Sequence, residues 1–315
     1  MAASWYSVVE DELSSVSDIL DKEVRAAYPE LNDMCESIAS SEESQILPAY
    51  NIVSYRAFGG GDMSTAVYMA SCFQSAFDGL HLHDRIDGEG NVIWEKRLLF
   101  SKVPSTTKVI VAGDFMYVMG FRIAYSKVPK MVPFLTQASG SISDAIFKIV
   151  DASHNSDMTE EMATDILIGK EAVEFRILME SAASLAGADE GICARARECG
   201  EQIGMAIGIA KDINDIQVIG KKKLPMERFA AGYPSLLTFY AMKDGSSGQR
   251  IRDLFSRSDL TKKDLLDAAA LIKGTDAIQR CESLKDGCKK RAKELLSGFS
   301  DSKYRDALME FVDSI

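Results

Sequence analysis

His83-Asp84-Arg85-Ile86-Asp87-Gly88 follows an apolar run, Tyr68 to Leu80, that reads as a buried helix. Carried on that helix, Asp84 and Asp87 are i and i+3, so both carboxylates point to one side. Lys211-Asp212-Ile213-Asn214-Asp215 closes another helical run with the same spacing. Two helices that each end in an inward carboxylate pair suit magnesium ions holding a diphosphate, because Mg2+ combines a few carboxylates with phosphate oxygens. Either copy alone reads more simply as a solvated acidic helix end. Their neighbours decide.

Outward from the first pair, helical spacing dominates. Val8, Leu13, Val16, Ile19, Leu20 and Val24 predict a helix over 4–28 that Pro29 ends, followed by a polar stretch over 30–45. Pro48 opens an apolar helix through Phe58, and Gly59-Gly60-Gly61 breaks it. Asp62 or Ser64 caps the helix that runs to Asp87; residues 88–104 are a loop. Ser105 or Thr106 starts the next helix, Pro129 and Pro133 bound another, and Asp157 or Thr159 begins a long one to Gly187. Beta-branched runs such as Val109-Ile110-Val111 continue into helical periodicity, so strands are not expected.

The helix over 189–216 is the clearest. Ile192, Ala196, Cys199, Ile203, Ala206, Ala210 and Ile213 form a core stripe. On a second face Gly204, Gly208, Asp212 and Asp215 fall in line. Glycine weakens a helix by about 1 kcal/mol relative to alanine, so the line needs a reason. Close helix packing is one. Open space above the carboxylates, where a ligand tail lies, is the other and the favoured expectation.

Composition excludes several classes. A net charge of -11 argues against nucleic acid as partner. Cys35, Cys72, Cys193, Cys199, Cys281 and Cys288 form no C-x-x-C, and three histidines are too few for a zinc site beside them. Free thiols, an acidic N-terminus without signal-peptide pattern and the lack of an apolar run of membrane-spanning length predict a cytoplasmic protein with no membrane span.

From about residue 46 to 242 the sequence resembles the trans-isoprenyl diphosphate synthase (polyprenyl synthetase) family. The family's Asp-Asp-x-x-Asp followed by Gly is matched from its second aspartate on by residues 83–88. Its Ala-Gly-Asp helix is matched by Ala112-Gly113-Asp114-Phe115. Its Lys-Thr-Ala resembles Lys170-Glu171-Ala172, set before Ala186-Gly187-Ala188. Its second aspartate motif resembles Gly204-Met205-Ala206-Ile207-Gly208 with Lys211 to Asp215. The departures are equally specific. His83 and Lys211 replace the first aspartate of each motif. The cationic segment that binds isopentenyl diphosphate reads Glu42-Glu43-Ser44-Gln45-Ile46-Leu47-Pro48. The expected histidine is Ala76, a later lysine is Tyr233, and Lys96-Arg97 lies too late to replace a missing arginine pair.

The resemblance implies an all-α, isoprenoid synthase-type helical bundle around a central cavity, as one domain over 1–315. It implies catalytic Asp84, Asp87, Asp212 and Asp215. Mg2+ would sit on Asp84, Asp87 and Asp215, weakened by the lost aspartates. Lys170, Lys211 and His83 would bind an allylic prenyl diphosphate, with isopentenyl diphosphate binding largely lost. Lys211 repels metal and, unless it pairs with Asp212 or Asp215, attracts diphosphate without one. The expected activity is prenyl transfer. A terpene cyclase-like lyase and a non-catalytic partner subunit are the alternatives. The implied assembly is a homodimer, or a heterodimer with an active prenyl synthase. Phe73 and Phe77 precede the first motif and read as core aromatics rather than the floor of a prenyl tunnel.

Overall fold

The computed structural model describes residues 4–39, 45–86, 90, 92, 103–217 and 226–315. After a 3-10 turn at Ser4–Val9 come α1 (Glu10–Glu23), α2 (Pro29–Ala39), α3 (Ile46–Ala57), α4 (Met63–His83), α5 (Thr106–Lys127), α6 (Val132–Asp151) and α7 (Glu160–Ile166). A π-helical segment, Leu167–Ala172, leads into α8 (Val173–Leu185) and α9 (Glu190–Gln217). Then follow α10 (Glu227–Ala230), α11 (Leu236–Met242), α12 (Gly248–Phe255), α13 (Lys262–Lys273), α14 (Ala277–Ser297) and α15 (Lys303–Ser314). The described residues contain no strand, only an isolated bridge between Ile86 and Val92.

Local chemistry sets most boundaries. Asp62 caps α4 by accepting the Thr65 N–H at 2.8 Å, Ser105 caps α5 and Thr159 caps α7, three positions legible from residue type. Several boundary expectations fail: α3 opens at Ile46 rather than at Pro48, and Pro133 lies within the first turn of α6. Pro29 does not end a helix; α1 already stops at Glu23, and Pro29 is the first residue of α2. Proline lacks an N–H that a first-turn residue would leave unbonded anyway, so it starts a helix as readily as it ends one. The long helix from Thr159 is interrupted by the π segment, where Gly169 lets Ala145 approach; a Cβ there would lie 2.9 Å from the Ala145 Cβ.

The chain divides into two compact units. The first comprises Met1–Gln137, Ile177–Arg197 and Leu296–Ser314; the second, Ala138–Arg176, Glu198–Leu295 and Ile315. In the first, α4 and α5 pack at backbone distance. A Cβ on Gly79 would sit 2.5 Å from the Gly113 carbonyl oxygen, and one on Gly120 2.6 Å from that of Cys72. The Ser75 hydroxyl bridges the same seam, donating to the Met116 carbonyl at 2.7 Å. Phe73 and Phe77 are fully buried and stacked on each other at 5.3 Å, as core aromatics. Trp5 packs on Phe311 of α15, and the Asn51 amide donates to the Leu178 carbonyl, so the unit draws on three stretches of chain. By length and composition α5 could cross a membrane. Its Val109, Ala112, Gly113, Met116 and Gly120 are instead buried in this unit.

The second unit has its own core, built on Leu167, Ile209, Ile213, Phe229, Leu237, Phe255 and Leu265. The expected α9 stripe is buried at Ala196, Cys199, Ile203, Ala206 and Ile213, and partly so at Ile192 and Ala210.

Candidate functional site

The first motif sits at a helix end in the first unit. α4 stops at His83, one residue before the motif's first carboxylate. Asp84 is the C-cap, exposed, with its N–H on the Leu80 carbonyl at 3.2 Å; Arg85 and Ile86 turn away. The i, i+3 pairing expected of Asp84 and Asp87 falls partly outside the described residues. Asp87 lies outside the described residues, as do Gly88, Lys96 and Arg97.

His83 is drawn to α5. Its Nε2 is 3.2 Å from the Ile110 carbonyl oxygen and 3.4 Å from the Asp114 carboxylate. The ring lies over Gly113, where a Cβ would come within 2.4 Å of Nε2. Ala112-Gly113-Asp114 thus has a structural role here: the glycine makes room and the aspartate faces the imidazole.

The second motif lies in the second unit, with its pieces closely tied. Lys211, Asp212 and Asp215 stand on the last two turns of α9; Lys170 and Glu171 lie in the π segment; Arg228 lies in α10. Glu171 is the hub. Its Oε2 accepts from Lys211 Nζ and its Oε1 from Arg228 Nη2, each at 2.8 Å. Arg228 Nη1 lies 3.0 Å from Asp212 Oδ1. That contact is electrostatic rather than an aligned hydrogen bond, since Oδ1 is buried without a hydrogen-bond partner. The guanidinium also covers the Tyr233 ring at 3.9 Å.

Asp215 has become a backbone cap. Its carboxylate accepts the N–H groups of Glu227 at 3.0 Å and Arg228 at 3.1 Å, and its carbonyl accepts that of Met226. Met226 is fully buried in left-handed backbone, φ 63°, a conformation uncommon for a side-chain-bearing residue. The caps and this turn aim Arg228 back at Asp212.

Burial and these ion pairs set the charges. Burial works to raise the Glu171 pKa, but Lys211 and Arg228 together hold it well below the usual carboxylate range. Burial pushes Asp212 up to about 6, against the pull of Arg228. Burial also raises Asp215, opposed by its backbone N–H bonds. Lys211 is raised, mainly by Glu171, and stays a cation.

Lys211 therefore pairs with neither Asp212 nor Asp215 but with Glu171, which sequence reading had passed over as the middle of Lys170-Glu171-Ala172. Arg228 was missed as well. One signal was available for Glu171: it and Lys211 carry opposite charges within two stretches already singled out by their motifs.

The glycine line does not border open space. A Cβ on Gly204 would lie 2.4 Å from the Ala172 Cα, and one on Gly208 2.5 Å from Leu167 Cδ1. Gly200 meets the Phe175 carbonyl oxygen at 2.4 Å. The favoured cavity is corrected to close packing of α9 on the π segment and α8, backbone against backbone at Gly204 and Gly200 and against the Leu167 and Glu171 side chains at Gly208.

The second motif does not fit a magnesium ion. An ammonium stands at the first position, a guanidinium lies against Asp212, and the Asp215 oxygens are taken by amides. Mg2+ needs hard oxygen ligands in near-octahedral array. Among the described residues no group of three or more His, Cys, Asp or Glu is placed to hold a metal. Positions expected to bind isopentenyl diphosphate offer no cation among the described residues, and Gln45 is exposed. Leu47 and Ala76 are buried, and Tyr233 lies under Arg228; Glu42, Glu43 and Ser44 lie outside the described residues. All six cysteines are unpaired, five of them buried.

The polyprenyl synthetase family model matches residues 29–272. Heptaprenyl diphosphate synthase component 2 of Geobacillus stearothermophilus is 22% identical over 312 residues, 98% of this chain and 96% of that one. The geranyl-diphosphate-specific all-trans-nonaprenyl-diphosphate synthase of Rhodobacter capsulatus is 22% identical over 309 residues, 96% and 93% of the two chains. The crystal structure of a decaprenyl diphosphate synthase from Rhodobacter capsulatus superposes with a TM-score of 0.85 at 18% identity, covering 98% of this chain and 97% of that one. That of geranylgeranyl pyrophosphate synthase from Lactobacillus brevis gives 0.82 at 20% identity, covering 98% and 96%. The all-α, isoprenoid synthase-type fold is that of these structures.

Proposed function

The chain belongs to the polyprenyl synthetase family, a family of prenyltransferases, and from that premise we propose that it is a divergent prenyltransferase of isoprenoid biosynthesis. It binds an allylic prenyl diphosphate through its aspartate motifs and has little affinity for isopentenyl diphosphate. The observation that carries this reading is the Lys211 ammonium. It is held by Glu171 beside the second motif, yet its side chain stays 57% exposed, so it presents a fixed cation to an anionic head group.

The allylic C–O bond breaks heterolytically, its electron pair leaving with the diphosphate. The double bond of a second substrate attacks the allylic cation, and loss of a proton restores neutrality. Lys211 and the half-buried Lys170 stabilise charge on the departing diphosphate. Members of the family generally use Mg2+, which lowers the cost of that leaving group when bound. In this chain Asp84 and Asp87 are the residues assigned to it.

The test is diphosphate release from geranyl or farnesyl diphosphate, with and without Mg2+. Release that is lost in Asp84→Ala supports the reading, and product analysis separates transfer from lyase chemistry.

A second reading has an observation of its own. Asp212 and Asp215 are both engaged inside the protein, as a purely structural motif would be. On that reading the chain is a non-catalytic component that assembles with an active synthase. No release, together with copurification of a co-expressed active homologue, would establish it. For either reading α5 is the proposed contact with a second copy or a homologous chain, because Val111, Val118 and Tyr125 stand exposed on one face at seven-residue intervals.

A further inference from the structure

The charge network on α9 gives the proposed site a specific division of labour. Four charged side chains interlock: Lys211 with Glu171, Glu171 with Arg228, and Arg228 with Asp212. Three of the four are well shielded. Asp212 is 7% exposed, Glu171 11% and Arg228 22%, while Lys211 is 57% exposed. A divalent ion on this motif would have to displace the guanidinium from Asp212 and the Glu227 and Arg228 amides from Asp215. It would also have to sit beside two cations that Glu171 holds in place.

Fixed cations do part of what a metal does. They neutralise the buried aspartate and offer positive charge to an anion, without binding and release of an ion. Lys211 has three N–H donors, and one goes to Glu171. The other two point away from that bond, on the one exposed member of the network. Arg228 is the positioning residue. Its guanidinium is clamped by Glu171, by Asp212 and by the Tyr233 ring, and its backbone is tied to Asp215.

Resting on the reading that the chain binds an allylic diphosphate, we infer that the second motif is a metal-free half-site in which Lys211 contacts the diphosphate directly and Arg228 occupies the place of a magnesium ion at Asp212. Any metal dependence then arises outside the second motif. The ligand class is an organic diphosphate, met at this motif by protein cations alone.

The full-length protein is titrated with Mn2+, followed by electron paramagnetic resonance of the free ion, with unreactive farnesyl S-thiolodiphosphate as ligand. The expected result is Mn2+ binding that Asp84→Ala abolishes and that Asp212→Asn leaves within twofold. Analogue binding by wild type should persist in EDTA, and Lys211→Ala should weaken it at least tenfold while Lys211→Arg stays within threefold. Lys211 is a surface residue, so its variants keep the test valid if Asp212→Asn does not fold. Loss of one Mn2+ in Asp212→Asn, or analogue binding untouched by Lys211→Ala, overturns the metal-free half-site while leaving diphosphate binding in place. No analogue binding with or without metal overturns the functional reading and this inference with it.

Discussion

The Lys211 ammonium donates to the Glu171 carboxylate at 2.8 Å, across forty residues of sequence. The carboxylate that answers this lysine lies in the π-helical segment Leu167–Ala172. The same carboxylate holds Arg228, so one glutamate organises both cations of the second motif.

Removing the hub should therefore cost more than removing either spoke. Glu171→Gln leaves two cations without their shared partner, and breaking a buried pair costs about 3–5 kcal/mol. Because Lys211 is more than half exposed, the lower end, about 3 kcal/mol, is expected by urea denaturation. Lys211→Ala should cost about 1 kcal/mol or less, as exposed pairs do. Equal losses from the two variants would contradict the hub arrangement.

The pH dependence follows from Asp212. Burial raises its folded pKa to about 6, above an unfolded value of about 4. Between those values the folded state binds the proton and the unfolded state does not. Stability therefore increases as pH falls from about 6.5 to 4, by at most about 3 kcal/mol. Glu171, held below its usual range, acts in the opposite sense and only lower: its contribution is present above about pH 4.5 and is lost as pH falls further. Urea midpoints across pH 7 to 4.5 should show the first slope in wild type and a smaller one in Asp212→Asn. An unchanged slope in the variant would refute the assignment to Asp212.

Glycines on α9 should behave as packing residues. Gly204→Ala forces a Cβ to within 2.4 Å of the Ala172 Cα, and backbone cannot swing aside as a flexible side chain can. Overpacking of this kind costs about 1–3 kcal/mol. Calorimetric melting should show the loss. Full stability in Gly204→Ala would revive the ligand-tail cavity.

Gly113→Ala probes the other motif. Its Cβ would meet His83 Nε2 at 2.4 Å and the Gly79 carbonyl oxygen at 2.7 Å. The imidazole can rotate away, but the carbonyl cannot. The expected result is a loss of about 1–3 kcal/mol, together with a changed His83 ring resonance in NMR. An unshifted resonance would contradict the placement of His83 over the glycine.

Isopentenyl diphosphate should bind poorly, since Leu47 and Ala76 offer no cation and Tyr233 is stacked under Arg228. Each missing charge-assisted bond removes about 1.5–3 kcal/mol, so two or more lower affinity by several powers of ten. Micromolar binding in calorimetry would place the site elsewhere in the chain.

The all-helical class, the order of motifs and the helix starts, each narrowed to two candidate caps of which Asp62, Ser105 and Thr159 are the ones used, were legible in the sequence. Periodicity and capping are local, and a residue's own neighbours suffice to express them. The end of α4 at His83 was not legible, because helical spacing through Asp87 is compatible with a helix that continues and with one that stops. The glycine line showed which residues align, but not that the π segment and α8 press on them.

Family membership was determined by sequence alone, as a matter of residue identity and order. How the second motif is neutralised was decided only by tertiary structure. Glu171, Lys211 and Arg228 are remote in the chain, and electrostatic energy falls with separation in space, not in sequence. Until folding brings them within about 3 Å of one another, nothing in their types distinguishes a metal site from a closed network of ion pairs.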